Sequence, residues 1–279
     1  MTTSHTRILS VSTNLGKLHV QDAGPVGGPT ALLWPSLFSD GQTSWGMQLA
    51  GLHEQGWRTL LIDPPGTGGS PSATRVFTMD ECAEAAIKVL DAASVDRAAI
   101  LGLSWGGFVG LRLALAAPQR VSALVLSNTT ARRSTFFERQ RGRIFIGLVR
   151  IGIPGGVGRL IAATMLSVHT RAHNTAFAKH FTDGANKLDS AGVARAMRSV
   201  DVNSTSVVDV LGRIKAPTLV IAGAEDQIFP QAHSAELAQR IPGAQLEVLA
   251  NVSHLAPAEA PVAVATLLNR FLAGKATRD

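Results

Sequence analysis

The 279-residue chain holds a single cysteine, Cys82, no tyrosine, and few aromatic (5%) or charged (16%) residues. One thiol leaves no intrachain disulfide to form, so cross-links are excluded as the source of stability. No apolar run approaches the roughly 18 residues that span a bilayer. The opening stretch, MTTSHTRILSVSTNLG, lacks the basic leader and apolar run of a secretory signal. These absences lead to the expectation of a cytoplasmic protein without a membrane partner. Internal repeats and low-complexity tracts are also missing. The composition that remains is 46% hydrophobic, enough for one sizeable core with an inserted subdomain.

The formal charge of +6 is unevenly spread. Residues 131–215 carry 14 Lys/Arg against 5 Asp/Glu, and the rest of the chain 12 against 15. The basic residues are dispersed along their segment and belong to no nucleic-acid module. A solvated basic face, or a field that attracts small anions, is therefore expected, and no nucleic-acid partner.

Up to residue 128 short apolar runs alternate with helical stretches. ALLW, WRTLLID, RAAILGL and VSALVLSN read as strands, and SWGMQLAGLHEQG, MDECAEAAIKVLDAA and WGGFVGLRLALAA as helices. The first pair, RILSVST and KLHVQDAG, alternates around Asn14-Leu15-Gly16 as an antiparallel hairpin does. After Thr130 the strands stop, and a basic, helix-like segment follows, broken by GIPGGVG. From residue 217 the rhythm resumes with PTLVIAG, QAHSAELAQRI, AQLEVLA and PVAVATLLNRFLA. The fold class expected is α/β: a mostly parallel eight-stranded sheet flanked by helices. Residues 1–130 and 213–279 would form the core, with a helical cap, 131–212, inserted after the sixth strand.

Gly102-x-Ser104-x-Gly106 lies between a strand-like and a helix-like run. That context fits a nucleophile elbow, a strained turn that lifts a serine hydroxyl above the sheet and aims a helix N-terminus at it. A glycine-rich packing turn is the alternative. A serine needs a base and an orienting carboxylate. AEDQIFP, after the strand TLVIAG, offers Glu225 and Asp226, and NVSH, after QLEVLA, offers His254. His5 and His19 sit in or before the first strands, and His53 and His233 in helices. His169 and His173 have metal-like spacing but no third ligand at obvious spacing, so they are taken as surface residues. Asp63 also ends a strand, but precedes Ser104 and is assigned a turn-stabilising role.

Ser104 in GLSWGG, Asp226 in GAEDQIFP and His254 in NVSHLAPAEAP resemble the catalytic triad of the α/β-hydrolase superfamily, nearly end to end outside the insertion. LVLSNTTARR and WPSLFSD are most similar to the 3-oxoadipate enol-lactonase-like esterase and lactonase branch. There the second loop can read SNSLGTD, which aligns without a gap and implies backbone N–H donors from Leu37 and Trp105 for an oxyanion hole, with Ser36 as the alternative to Leu37. Backbone donors do not depend on side-chain identity, and Pro35, which has no N–H, falls where none is needed. Trp105 and Phe38 stand where the branch has Met and Gly, a departure that bears on pocket shape. Ser36, Phe38, Arg132 and Arg133 are candidate substrate contacts. Either arginine would suit a carboxylate-bearing substrate, with a salt bridge or solvated surface as the alternative.

The resemblance implies a serine hydrolase acting on a small carboxylic ester or lactone through an acyl-enzyme, without metal or cofactor. The same triad could serve C–C bond hydrolysis of ring-cleavage products or cofactor-free perhydrolysis. A non-catalytic small-ligand-binding protein is the reading from another class.

Overall fold

The computed structural model describes residues 4–151 and 156–274. Residues 152–155, within the expected break GIPGGVG, lie outside the described residues, as do 1–3 and the last five of the expected core. The chain opens with the expected hairpin, β1 (Ser4–Thr13) and β2 (Gly16–Pro25), in register from Thr13 opposite Gly16. Then follow β3 (Thr30–Trp34), α1 (Gly41–Glu54), β4 (Arg58–Asp63), α2 (Met79–Ala92), β5 (Ala98–Leu103), α3 (Trp105–Ala116) and β6 (Val121–Ser127). The chain ends with β7 (Thr218–Gly223), α9 (Gln231–Arg240), β8 (Gln245–Leu249), α10 (Ala256–Glu259) and α11 (Pro261–Leu272).

The eight strands form one sheet in the order β1-β2-β4-β3-β5-β6-β7-β8, antiparallel for β1/β2 and β2/β4 and parallel elsewhere. The strand runs are almost uniformly apolar because both faces are covered. Every residue of β3, β5 and β7 is buried. Residues of α2 and α3 fill the cluster on one face, with Leu237 of α9. Residues of α1, α10 and α11 fill the other. Local chemistry starts the helices: Asp40 caps α1 by accepting from Thr43 N–H at 2.7 Å, and Thr78 with Glu81 makes a capping box on α2.

Between β6 and β7 lie α4 (Phe136–Ile151), α5 (Gly158–Met165), α6 (Val168–His173), α7 (Thr175–Lys187) and α8 (Ser190–Met197). A π turn, Arg198–Val202, and a 3-10 turn, Val208–Arg213, return the chain to the sheet. Polar contacts tie this stretch down. Phe77 N–H donates to Ser199 Oγ (3.0 Å), Arg195 Nε to Ala73 O (2.6 Å), and buried Arg112 Nη2 to Thr205 O (2.7 Å). Parallel register brings the C-terminal ends of β3, β5, β6, β7 and β8 to one edge: Trp34 pairs with Gly102, Leu103 with Ser127, and Gly223 with Leu249. That edge is where open α/β sheets bind ligands.

Candidate active site

Ser104 joins β5 to α3 with φ +54° and ψ −107°, a strained conformation for a residue with a side chain. The flanking glycines are required by contact. A Cβ on Gly102 would lie 2.2 Å from Gly106 O, and one on Gly106 would lie 2.1 Å from Trp34 O. The turn is pinned by Ser104 N–H to Ser127 O (2.9 Å) and by Thr129 Oγ1 to Ser104 O (2.8 Å).

The structure brings Ser104, His254 and Asp226 together. Ser104 Oγ is 2.8 Å from His254 Nε2, and His254 Nδ1 is 2.9 Å from Asp226 Oδ2. All three are buried. An ionised carboxylate only accepts, so Nδ1 carries the proton and Nε2 is left to accept from the serine hydroxyl. Burial alone would raise the Asp226 carboxyl. The charge and hydrogen bond of His254, with Asn128 Nδ2–H (3.1 Å) and Phe229 N–H (3.1 Å), hold it below the usual carboxylate value. Glu225 is exposed and forms no side-chain hydrogen bond or ion pair with His254.

Two residues that sequence reasoning did not single out brace this arrangement. Asn128, at φ +48°, bridges Asp226 and Ser253 O (2.7 Å) through its amide, and its Oδ1 accepts from Ser127 Oγ at 2.8 Å. Glu259 accepts from Ser253 N–H (3.1 Å) and Leu255 N–H (3.0 Å), on either side of His254, and from Ser167 N–H (2.7 Å). His254 N–H itself donates to Met165 O (3.0 Å), so the histidine loop is held against α5. The polar Asn after β6 and the acid in LAPAE are visible in the sequence, but their targets are tertiary neighbours.

The β3 loop is locked to the elbow by Gly106 N–H donating to Pro35 O at 3.2 Å. Ser36 N–H is turned to Ser44 Oγ (3.4 Å), whereas Leu37 N–H and Trp105 N–H have no hydrogen-bond partner among the described residues. Geometry therefore favours Leu37 over Ser36 as the loop's free donor. Phe38 adopts φ +65°, a conformation easy for the glycine of similar loops, and its ring meets Phe145 of α4 edge-on at 6.2 Å. Phe38 also lines a cavity of about 150 Å³ with Val149, Ile161, Leu188 and Val193. The Trp105 ring is fully buried, stacked on Phe77 at 5.6 Å and edge-on to Trp34 at 5.8 Å, so it shapes the core and not an open pocket.

Arg132 and Arg133 are both exposed. The Arg132 guanidinium is held by both oxygens of Glu236 in α9, at 2.6 and 2.8 Å, which is the salt-bridge alternative. Arg133 forms no ion pair among the described residues. Asp63 accepts from Gly41 N–H (3.0 Å), Gly69 N–H (2.9 Å) and His19 Nδ1 (2.9 Å), a turn-stabilising set. His5 bonds Asp22, His53 bonds Thr59 and His233 bonds Thr130. His169 and His173 stack on the surface, and no group of three or more potential metal ligands occurs among the described residues. Nor is any helix among them long and apolar enough to cross a membrane.

Residues 32–261 match the family model of the α/β hydrolase fold. A relative from Variovorax paradoxus (strain S110), RutD, provisionally named a carbamate hydrolase, is 32% identical over 246 residues, 85% of this chain and 89% of its own. The 2-hydroxy-6-oxononadienedioate/2-hydroxy-6-oxononatrienedioate hydrolase of Cupriavidus pinatubonensis (strain JMP 134) is 27% identical, covering 92% of this chain and 90% of its own. The crystal structure of the enol-lactonase from Burkholderia xenovorans LB400 superposes with a TM-score of 0.87 at 25% identity, covering 95% of this chain and all of that one. The chain belongs to the α/β-hydrolase fold family, is a hydrolase, and is most like the enol-lactonase and esterase branch of that family.

Proposed function

We propose that the protein hydrolyses a small carboxylic ester or lactone through an acyl-enzyme on Ser104. Ser104 Oγ attacks the carbonyl carbon while His254 Nε2 takes the hydroxyl proton. Asp226 keeps Nδ1 protonated and stabilises the imidazolium that forms. The oxyanion is met by Leu37 and Trp105 N–H, each worth on the order of 3 kcal/mol. His254 then gives its proton to the departing alkoxide. Water, deprotonated by the same imidazole, attacks the acyl-enzyme and releases the acid and free serine. The observation that carries this reading is the unbroken Ser104–His254–Asp226 chain, at 2.8 and 2.9 Å, beside two free backbone donors.

In this reading residues 131–212 act as a cap over a core of residues 1–130 and 213–279, and Phe38 and Phe145 meet where the two join. A carboxylate-pairing role for Arg132 is not part of it, because Glu236 already occupies the guanidinium. A carbamate is an acceptable acyl donor to the same serine, in keeping with the RutD relative. The ring-cleavage hydrolase relative favours a second reading, C–C hydrolysis on the same triad, in which His254 protonates a departing carbon. A cytoplasmic setting belongs to the proposal, motivated by the lone buried Cys82.

The test is hydrolysis of 4-nitrophenyl acetate by the wild type beside Ser104→Ala. The expected loss in kcat/KM is about 10³-fold or more. Equal low rates in both proteins would overturn the ester reading, and cleavage of a vinylogous diketone alone would favour the second.

A further inference from the structure

Helix α4 is apolar on its outer as well as its inner face, where a surface helix needs only the inner one. The inner face packs on α8 and the Arg198–Val202 turn. Ile146 and Val149 are buried there, and Phe145 meets Phe38 of the β3 loop. The outer face is open to solvent: Phe137 is 82% exposed, Ile144 68%, Leu148 38% and Ile151 86%. Spacings of seven, four and three residues put these side chains on one side of the helix. Phe136, also exposed, packs edge-on to Phe137 at 5.7 Å and widens the row. Single exposed apolar side chains are ordinary, but a continuous row marks a contact surface.

The charges around the row are of one sign. Residues 131–165 hold seven arginines and a single acid, Glu138. Glu138 is engaged at the start of the helix, where its Oε2 accepts from Thr135 N–H at 2.6 Å. Of the arginines, Arg132 alone forms an ion pair among the described residues, with Glu236. Arg141 lies within the row between Phe137 and Ile144, and Arg143 and Arg150 run along its edge, all three exposed. The Arg143 guanidinium reaches only the neutral amide of Gln140, at 3.3 Å. Unpaired cations around apolar side chains complement a surface that is negative outside and apolar beneath. A second copy of the chain would bring the same arginines against one another, a like-charge arrangement. A nucleic acid would satisfy the arginines but leave Phe137, Ile144 and Ile151 in water.

We propose that the outer face of α4 docks the protein on a bilayer surface rich in anionic phospholipid, with the apolar row at headgroup depth and the arginines on the anionic headgroups. The attachment is peripheral. The expectation of no membrane partner rests on the absence of a spanning run, and a helix lying in the interface needs none. α4 joins this surface to the serine side of the molecule, because Val149 on its inner face lines the same cavity as Phe38. Docking goes beyond the acyl-transfer reading and does not depend on it.

The test is flotation of the full chain with vesicles of phosphatidylcholine alone, and of phosphatidylcholine with an equal part of phosphatidylglycerol, at about 0.1 M and about 0.5 M NaCl. The wild type should bind the anionic vesicles at least about tenfold more tightly than the neutral ones, and lose most of that preference at the higher salt. Arg143→Gln/Arg150→Gln should weaken binding to the anionic vesicles roughly tenfold or more. Ile144→Gln/Ile151→Gln should weaken it by about tenfold. All these positions are exposed, so unfolding midpoints should match that of the wild type. Insertion is read from an environment-sensitive nitrobenzoxadiazole label on Phe137→Cys, since the natural thiol, Cys82, is fully buried. Its emission should rise and shift to the blue on anionic vesicles. No binding to anionic vesicles, binding indifferent to phosphatidylglycerol, binding unchanged in either double variant, or unchanged emission from the bound label would overturn the proposal. So would a lipid-free dimer of the wild type, seen by analytical ultracentrifugation, that Ile144→Gln/Ile151→Gln dissociates, because the face would then belong to a second copy.

Discussion

Gly106→Ala tests whether the elbow and the β3 loop form one rigid unit. The added Cβ would lie 2.1 Å from Trp34 O, 2.8 Å from Trp34 C and 3.0 Å from Trp34 Cβ. Two of these are backbone atoms of a residue with no exposed surface, whose strand is paired to β4 on one side and β5 on the other. No rotamer change relieves the clash. The turn must move about 1 Å from the end of β3 to restore normal contact, which breaks the Gly106 N–H bond to Pro35 O. That shift separates Leu37 N–H from Trp105 N–H, the two donors that must converge on one oxygen. A displacement of this size costs about 10²-fold in kcat, and the overpacked core about 1–3 kcal/mol of stability. The assay is kcat and KM on 4-nitrophenyl acetate, with urea unfolding of the same samples. A variant with kcat within threefold of wild type and an unchanged midpoint would refute the rigid-unit reasoning.

Two further outcomes follow from the bracing residues. Glu259→Ala strips the acceptor from Ser253, Leu255 and Ser167 N–H. Stability should fall by about 2–3 kcal/mol, and kcat by roughly tenfold with KM little changed, because His254 loses its fixed aim. Loss of stability alone, with kcat preserved, would make Glu259 merely structural. Asp22 is buried, which would raise its carboxyl, yet Arg58, Arg7 and His5 together hold it far below the usual value. A depressed carboxyl contributes stability that is present above its unfolded value, near 3.8, and is lost as pH falls through the folded one. Asp22→Asn should therefore cost about 3 kcal/mol at pH 7, with the gap to wild type closing below about pH 4. Unfolding curves at pH 7 and pH 3 that differ by the same amount would contradict this.

The strand and helix runs were readable because their rules are local. Apolar segments buried on both faces mark β3 to β7, whereas α1 begins at Gly41, behind its Asp40 cap, three residues before the helical run expected from Ser44. The elbow was readable for a steric reason, since only glycine avoids Gly106 O and Trp34 O at positions 102 and 106. The choice between Ser36 and Leu37 needed the position of Ser44, eight residues downstream of Ser36 and on another element. Arg132 found its carboxylate 104 residues away, and Trp105 turned its ring to Phe77 and Trp34, so neither side chain's role follows from its own segment. Asn128 and Glu259 carry no local signature of their targets. Each matters through groups that only the parallel register and the returning helices bring near.

Acyl transfer requires a covalent step at Ser104, and labelling reads that step directly. The protein is incubated with diethyl 4-nitrophenyl phosphate, and released 4-nitrophenolate, remaining activity and the modified peptide are measured together. One equivalent of 4-nitrophenolate per chain, loss of activity in proportion, and a diethylphosphoryl group on Ser104 are expected. Activity that survives full incubation, or a label on any other residue with activity lost, would contradict the serine mechanism.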